Sequence, residues 1–259
     1  MPITVSSIYR YPIKGLSAEP LAKVTLTTGQ SLPHDRRFAI ARAATHIDPD
    51  KPQWLRKTHF FMLMRDEKLA QLRTRFDEHS GILTIERSGR LLLSACITEP
   101  QGRSSIEAFF AGLFMDHPDG PPKIVEAPGH TFSDAQRKPN ATTDQYVSLV
   151  NLASIREVER VAQARVSPLR FRANIYFEGA AAWSEFDWVG KELAVGGTRL
   201  RVVSPITRCP ATAVNPETAE RDLDVPRILM DEFAHNHMGV YAEVVAGGTV
   251  AENDSLHLL

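Results

Sequence analysis

Cysteine is scarce in this sequence, because its 259 residues include only Cys96 and Cys209. The two lie far apart and form no CxxC pair, which argues against a disulfide framework and against a zinc or iron–sulfur site built from cysteines alone. The sequence also lacks the run of about 18 apolar residues that a transmembrane helix needs. Its first residues lack the apolar core of a signal peptide, so we expect a cytoplasmic protein without a membrane anchor.

An excess of charge and the common nucleotide and hydrolase motifs are missing as well. The formal net charge is −1, which indicates neither a nucleic acid nor an anionic membrane as partner. No GxGxxG, GxxxxGK[ST], GxSxG or HExxH pattern occurs, so a Rossmann site, a P-loop and two common hydrolase sites are not expected. The composition is that of a globular protein, 43% hydrophobic and 24% charged, which suffices for a sizeable core.

Most of the chain reads as short strands separated by turns. Strands are predicted at 3–9, 21–27, 38–43, 70–76, 82–85 and 91–95. Three helices are predicted, the first from a capping box at Ser104 to Glu107, the second capped by Asn151. The third starts at Asp224 and Pro226 and ends before Gly239.

Many strands and few helices indicate a mainly β fold with a few helices (α+β), built from barrels rather than from a doubly wound sheet. The stretch 117–143 is rich in Pro, Gly, Asp and Asn, so it is predicted to be irregular. We place a domain boundary near residue 120, which gives an N-terminal domain of residues 1–120 and a second domain of residues 121–259.

Cys209 has the most informative surroundings of any single residue. Pro205 and Pro210 bracket it and stiffen the loop, and the neighbouring Arg208 favours a thiolate. Thr207 and Thr212 add hydroxyls able to bond an anionic ligand. The alternative is a half-buried structural cysteine beside an exposed arginine.

Basic residues recur in three other stretches. At strand spacing, Arg170, Arg172 and Asn174 project to one face, where they form a grip for an oxyanion. The alternative is a solvated face with surface ion pairs. Lys14, in the turn 11–15, and Arg36, before a strand, are weaker candidates on their own.

Three further residues are interpreted as structural. Cys96 lies in an apolar strand and is predicted to be part of the core. His235 and His237 form a His-x-His pair near the end of the third helix. On a helix their rings point apart, so helix-end or surface histidines are favoured over a metal site.

Taken in order, several short motifs resemble the MOSC family, and most closely its members with an N-terminal β-barrel domain. That group includes the mitochondrial amidoxime-reducing component and bacterial relatives. The resemblance covers almost the whole chain. It rests on YPIK at 11–14, DRRF at 35–38, VSLV at 147–150, RFRANI at 170–175, Glu185 with Trp188, Arg208-Cys209 with Thr212, Asn215-Pro216 with Thr218, and Gly239 with Tyr241. Asn215 departs from the family, which usually has Asp there.

The resemblance implies a role for each matching residue. Cys209 would be the one protein ligand to molybdenum, the other sulfurs coming from the pterin dithiolene of the molybdenum cofactor. The residues that would hold the pterin and its anionic parts are Lys14, Arg36, Arg170, Arg172, Asn174, Thr207 and Arg208.

The resemblance also implies a molybdenum cofactor-dependent oxidoreductase that reduces N-hydroxylated small molecules. Its electrons would come from separate proteins, such as a ferredoxin-like protein or a flavin reductase. Two alternatives stay open: a sulfur carrier using a Cys209 persulfide, and a non-enzymatic protein that binds and delivers the cofactor. Some MOSC domains are fused to a pyridoxal-phosphate-dependent sulfurase, but no Schiff-base lysine motif is recognisable here. A cysteine hydrolase is disfavoured, because no base can be assigned.

Overall fold

The computed structural model describes residues 2–115, 120–135 and 145–259. The strands in this part of the chain are β1 (Thr4–Arg10), β2 (Glu19–Leu21), β3 (Lys23–Leu26), β4 (Phe38–Ala41), β5 (Arg73–Phe76), β6 (Ile82–Arg87), β7 (Arg90–Cys96), β8 (Lys123–Glu126), β9 (Val147–Asn151), β10 (Ile175–Glu178), β11 (Glu192–Val195), β12 (Thr198–Thr207), β13 (His237–Ala246), β14 (Gly248–Ala251) and β15 (Leu256–Leu258). The α-helices are α1 (Pro100–Leu113), α2 (Leu152–Ala162) and α3 (Val225–Phe233). The predicted class, mainly β with a few helices, is confirmed.

The largest sheet contains eight strands in the order β15-β11-β12-β13-β9-β10-β1-β2. Its neighbours pair antiparallel except for β9 and β10, which are parallel. Branched side chains from these strands meet in one core, and each fully buried one contributes about 1.5–3 kcal/mol. That core includes Val5, Ile8, Leu149, Ile175, Leu200 and Val240. A strand from the start of the chain therefore lies inside the sheet made by the C-terminal strands.

A second core lies in the N-terminal half of the chain. It is covered by the meander β5-β6-β7 and by α1, and it includes Phe38, Phe61, Ile85 and Phe110. Two small antiparallel pairs, β4 with β8 and β3 with β14, connect distant parts of the sequence. The domain boundary near residue 120 stays a prediction.

The two long antiparallel strands β12 and β13 carry the features that matter for the site. Their register shifts between Val202 and Ser204 and again between Pro205 and Thr207. Pro205 has no N–H to give to the ladder, and such irregular pairing bends a strand. Gly239 has a φ of +71°, and a Cβ there would lie 2.3 Å from the Leu149 carbonyl oxygen. The sheet therefore needs glycine at this position in β13.

The predicted helix starts have mixed outcomes. Asn151 caps α2 by accepting from the Ala153 N–H, and Asp224 caps α3 by accepting from the Arg227 N–H, so both predictions are confirmed. The start of α1 at Ser104 is wrong, because the helix begins at Pro100. The hydroxyl of Ser104 donates to the Pro100 carbonyl inside the helix instead of capping it.

The third helix also ends differently from the prediction. Ala234, at a φ of 57°, terminates α3, whereas Gly239 belongs to β13. A left-handed residue after a helix is usually glycine, so the sequence carried no signal for alanine in this role.

Other local predictions were wrong in part. Only the second half of 70–76 is a strand, since Glu67–Gln71 forms a 3-10 turn. The stretch 117–143 contains β8, and its residues 117–119 and 136–143 lie outside the described part of the chain. Cys96 is half-buried at the edge strand β7 and its sulfur contacts the Ser80 carbonyl, so the prediction of a core residue was wrong.

Candidate functional site

Cys209 lies between the end of β12 and a 3-10 turn, Pro210–Ala213. Its backbone is extended, and its carbonyl accepts from the N–H and hydroxyl of Thr212 at 3.0 and 2.9 Å. The predicted role of Thr212 as a donor to an anion is therefore wrong, because its hydroxyl shapes the loop. The half-buried Cys209 lines a cavity of about 600 Å³, and no described residue hydrogen-bonds its sulfur.

Arg208 points its guanidinium at backbone carbonyls rather than at a carboxylate. It donates to the Phe171 carbonyl at 2.8 Å and to the Met238 carbonyl at 3.0 Å, and it stacks over the Phe171 ring. Burial lowers its pKa, although the side chain stays charged at neutral pH. No described carboxylate forms an ion pair with Arg208, so its positive charge is available to a ligand in the cavity.

Arg172 and Arg36 both lie over the ring of Tyr11. Their guanidinium carbons lie 4.3 and 4.8 Å from its centroid, which is a cation–π distance for each. Arg172 also donates to the Leu16 carbonyl at 2.6 Å, and Arg36 donates to the Arg172 carbonyl at 2.8 Å. Burial lowers the pKa of Arg172 to about 10. Within residues 2–115, 120–135 and 145–259, no carboxylate pairs with Arg172.

Arg36 and Lys14, which approach the cavity from the N-terminal half, each have an acidic partner. Asp35 binds the Arg36 guanidinium with one oxygen and accepts from the Tyr11 N–H with the other. Lys14 Nζ donates to Asp134 and to the Phe132 carbonyl. Burial lowers the pKa of Lys14, and the nearby carboxylate opposes that shift. Both cations are therefore compensated within the protein.

Arg170, Arg172 and Asn174 all line the cavity, but they do not reach it by strand alternation, so the strand prediction for this segment was wrong. Arg170 belongs to a 3-10 turn and Arg172 has a φ of 51°, which breaks strand alternation. The Arg170 side chain is buried and makes a bidentate ion pair with Asp222 at 2.6 and 2.8 Å. This acidic partner lies 52 positions away in the sequence.

Arg170 instead fastens the loop that follows Cys209. It donates to the carbonyls of Thr212 and Ala213 at 3.3 and 3.1 Å. Asp222, its acidic partner, also accepts from the Asn215 amide at 2.7 Å. The network joins Arg170, the loop and Asn215, so Arg170 helps to position the loop that follows Cys209. Its predicted contact with a cofactor stays a prediction.

Asn174 and Thr207, the two other predicted binding residues, lie at opposite extremes of burial. Asn174 is 1% exposed, and its amide bonds Ser148 and the Tyr9 carbonyl. The Asn174 amide mainly links neighbouring strands, although Asn174 also lines the cavity. Thr207 is exposed, with its hydroxyl 3.4 Å from His237 Nδ1. Cofactor contacts by either residue stay predictions.

The His-x-His pair lies beside Thr207 in an aromatic cluster. The rings of His235 and His237 are 6.1 Å apart and nearly parallel, and they pack with Trp183, Phe186 and Phe233. Both rings are half-buried. His235 lies at the end of α3, as predicted, where its N–H donates to the Leu229 carbonyl at 3.4 Å, whereas His237 belongs to β13. In the described part of the chain, no group of three His, Cys, Asp or Glu side chains is arranged to hold a metal.

The cavity therefore fits an anionic ligand that brings most of its own metal ligands. Its volume lies in the range of small-molecule and cofactor sites. Arg172 and Arg208 supply two positive charges without carboxylate partners, and Cys209 supplies one free sulfur. A bare metal ion would find too few protein ligands here. The apolar part of the lining, which includes Met62 and Met64, was not identified from the sequence.

Comparison with known families assigns the chain to a class. A model of the MOSC N-terminal beta barrel domain matches residues 2–111, and a model of the MOSC domain matches residues 129–257. The chain belongs to the MOSC domain family. Within the described residues, none of the helices combines the length and apolar character that a membrane span requires.

Individual relatives show how far the similarity extends. The molybdenum cofactor sulfurase of Drosophila melanogaster is 30% identical over 227 residues, which is 82% of this chain and 28% of that protein. The mitochondrial amidoxime-reducing component 1 of Mus musculus is 32% identical over 74 residues, 29% of this chain and 21% of that protein. This chain thus spans 28% of the sulfurase.

Solved structures also align with the chain. The YUAD protein from Bacillus subtilis aligns over 99% of this chain and 94% of its own, with a TM-score of 0.45 and 11% identity. YiiM from Escherichia coli aligns over 44% of this chain and 53% of its own, with a TM-score of 0.33 and 16% identity.

Proposed function

We propose that this protein binds a molybdenum–pterin cofactor in the Cys209 cavity and uses it to reduce N-hydroxylated small molecules. The observation that carries the proposal is the pairing of a free thiol with two guanidiniums that have no carboxylate partner, all lining one cavity. A soft thiolate suits molybdenum, and uncompensated guanidiniums suit the anionic part of a pterin cofactor.

The residues of the chain have separable tasks in this proposal. Cys209 ligates the metal, while Arg172 and Arg208 hold the anionic part of the cofactor. Lys14 and Arg36 contribute less, because Asp134 and Asp35 already neutralise them. Thr207, Asn174 and Arg170 complete the predicted binding set as supporting positions.

When bound, the cofactor supplies a centre able to exchange two electrons with the substrate. The overall reaction converts an N–OH group, two electrons and two protons into N–H and water. The chain orients the substrate beside Cys209 and keeps the cavity lined by fixed charges, as expected where a cofactor carries the chemistry. The electrons come from separate partners, for which a ferredoxin-like protein or a flavin reductase is our expectation.

The names of the relatives support this choice of chemistry. One relative is described as a molybdenum cofactor sulfurase and another as an amidoxime-reducing component. The second name specifies a reduction at an N-hydroxylated group. We therefore place the amidoxime reductase hypothesis ahead of the others.

A sulfur carrier is the second candidate, and the free sulfur of Cys209 favours it. A cavity-lining thiol without a hydrogen-bond partner among the described residues can accept a sulfane sulfur from the persulfide of a donor protein, which is released as its thiol. The first relatives are named as sulfurases. A persulfide on Cys209 in protein that lacks molybdenum and pterin would favour this alternative. Transfer of an intact cofactor to another protein without turnover would instead favour cofactor delivery.

The decisive assay uses protein produced in a host that makes the cofactor. The protein is incubated with an amidoxime and an artificial reductant, and the amidine product is quantified. We expect turnover by the parent protein and none by Cys209→Ala. A cofactor-loaded parent that reduces no N-hydroxylated compound with any reductant would contradict the proposal.

A further inference from the structure

Tyr241 is a half-buried phenol on β13 that lines the same cavity as Cys209. Its backbone pairs with Ser204 of β12 on one side and with Ser148 of β9 on the other, which fixes the residue inside the eight-stranded sheet. The ring of Tyr146 packs beside its ring, with the two centroids 5.8 Å apart and the planes inclined by 33°. The sheet and this neighbour therefore hold the Tyr241 ring in one place at the cavity wall.

The Tyr241 hydroxyl has no hydrogen-bond partner in the described part of the chain, whereas neighbouring hydroxyls are engaged. Ser148 donates to the Asn174 side chain at 2.8 Å, and Thr212 donates to the Cys209 carbonyl at 2.9 Å. A phenolic O–H that is removed from water usually finds an acceptor. The free hydroxyl of Tyr241 is therefore available to a ligand in the cavity.

Charged groups from both halves of the chain act on this hydroxyl. Burial raises the pKa of Tyr241, and Asp134 and Cys209 act in the same direction, whereas Arg208 and Arg36 oppose the rise. Arg208 and Cys209 approach from the C-terminal half, and Arg36 and Asp134 approach from the N-terminal half. The hydroxyl thus lies between the halves, where a ligand would bind, and it keeps its hydrogen at neutral pH.

Other polar groups of the cavity are poorer proton donors. Arg172 and Arg208 do not release a proton at neutral pH. Lys14 is bound to Asp134. The Ser204 hydroxyl also lacks a partner among the described residues, but an alkyl alcohol gives up a proton far less readily than a phenol. Tyr241 is therefore the best placed donor to an oxygen atom of a ligand.

We propose that Tyr241 donates its phenolic hydrogen to the oxygen atom that leaves the substrate. This role rests on the proposed reductase function and adds a catalytic residue to it. The N–O bond breaks as the substrate takes up two electrons, and the nitrogen takes one proton from solvent. The oxygen, which already carries one hydrogen, takes the phenolic proton and leaves as water, and solvent then reprotonates the phenolate.

The transfer is favourable although the phenol is a weak acid. The group that accepts the proton is a departing hydroxide, and water has a pKa of about 15.7. Tyrosine has an ordinary pKa of about 10, so the proton passes to the stronger base even after burial has raised that value. Without this donor, hydroxide would have to leave into a half-buried cavity uncompensated by a proton.

Binding is tested without turnover by NMR of the full chain, loaded with cofactor but given no reductant. Tyrosine carries ¹³C at the ring carbon that bears the hydroxyl, and Tyr241→Phe identifies one signal among those of the five tyrosines. The probes are benzamidoxime and benzamidine, which differ in the leaving oxygen. We expect the Tyr241 signal to shift with benzamidoxime at concentrations where benzamidine leaves it unchanged. Equal shifts with both probes, or none with either, would overturn the assignment.

Kinetics give a second, independent readout. Tyr241→Phe should slow amidine formation in a single turnover of pre-reduced protein by about a hundredfold, because it removes a general acid and keeps the ring. The benzamidoxime concentration for half saturation and the pterin content per chain should stay as in the parent. Tyr9→Phe, the matched control, removes a phenolic hydroxyl that does not line the cavity and should change none of these quantities. An equal loss of rate in both variants would contradict the role of Tyr241.

The two proposals fail in different ways. If the cofactor-loaded parent reduces no N-hydroxylated compound, the reductase function is wrong, and the catalytic role of Tyr241 is wrong with it. If the parent reduces benzamidoxime and Tyr241→Phe reduces it at the same rate, the role of Tyr241 is wrong and the reductase function stands.

Discussion

The two halves of the chain bring cations to the same cavity in opposite electrostatic states. Lys14 and Arg36, from the N-terminal half, are each paired with a carboxylate. Arg172 and Arg208, from the C-terminal half, bond only carbonyls and aromatic rings among the described residues. The two halves therefore differ in whether a carboxylate neutralises the cation, and not in whether the cation is a lysine or an arginine.

This contrast shows which cations are free to bind a ligand. A buried cation with an internal partner has already recovered part of its desolvation cost, so an incoming anion must compete with that partner. A guanidinium held by neutral carbonyls keeps its full charge and its position. We therefore expect the C-terminal side to contribute more of the affinity for an anion than the N-terminal side.

A third environment, that of Arg170, gives the largest expected effect. Arg170→Met should lower the free energy of unfolding by about 3 kcal/mol, because it leaves Asp222 and the carbonyls of Thr212 and Ala213 without their donor. Urea unfolding measures this loss. Arg172→Met is the matched control and should cost at most about 1 kcal/mol. It loses one carbonyl hydrogen bond and the contact with the Tyr11 ring, but it also removes a buried charge that has no carboxylate partner among the described residues. Equal losses would erase the distinction between a structural and a ligand-binding arginine.

The ligand side of the comparison predicts the reverse order of effects. Arg172→Met should weaken cofactor retention by about tenfold or more, because a charge-assisted contact is lost. Lys14→Met should weaken it by at most about threefold, because Asp134 already compensates Lys14. Pterin remaining per chain through a dialysis series distinguishes them. A larger loss in the Lys14 variant would show that the paired cation is the main anchor.

A substitution at Asn215 tests the network of Arg170, Asp222 and Asn215 through the pH dependence of the free energy of unfolding. Partial burial alone would raise the pKa of Asp222, but hydrogen bonds from Asn215 and Arg170 hold this pKa below its ordinary value. Asn215→Asp places a second carboxylate against Asp222 and should cost about 1 kcal/mol at neutral pH, after allowance for solvent screening.

The sign of the pH dependence follows from which state holds the proton. The two carboxylates repel, so the folded-state pKa of the introduced carboxyl rises above its unfolded value. The free energy of unfolding is therefore lowered only while both carboxyl groups are ionised. This deficit should shrink as pH falls from about 7 toward about 4. Denaturation curves at several pH values measure it, and a deficit independent of pH would rule out charge repulsion as the cause.

Asp134 gives the smallest expected effect and sharpens the comparison most directly. Asp134→Asn converts Lys14 into a cation without a carboxylate partner, the state that Arg172 already has. We expect the affinity for inorganic phosphate to rise about two- to threefold at low salt and less at high salt, because the site is half open to water. Calorimetric titration measures this, and a fall in affinity would place Asp134 among the groups that bind the ligand.

The sequence predicted those ends of helices that are fixed by side chains within a few residues. Asn151 and Asp224 were recognised as helix caps because a cap acts within three residues. The start of α1 was misplaced because the serine side chains bond backward inside the helix. Ala234 could not be predicted as a helix end, since its left-handed conformation is set by the strand that follows.

For the site, sequence indicated the residue types but not their partners. The motif containing Cys209 and Arg208 identified the loop correctly as a place where a thiol and a guanidinium meet one cavity. Arg170 was misread because Asp222, its partner, lies 52 positions away. Met64 carried no signal, since only the fold brings it to the cavity that Cys209 lines.

The central claim is that Cys209 is the protein ligand of a molybdenum–pterin cofactor. Its most direct test is the molybdenum and pterin content of the parent and of Cys209→Ala, both expressed in a host that makes the cofactor. We predict one molybdenum and one pterin per parent chain, with molybdenum lost from the variant although its thermal stability is unchanged. Equal molybdenum in both proteins would remove Cys209 from the metal and contradict the account.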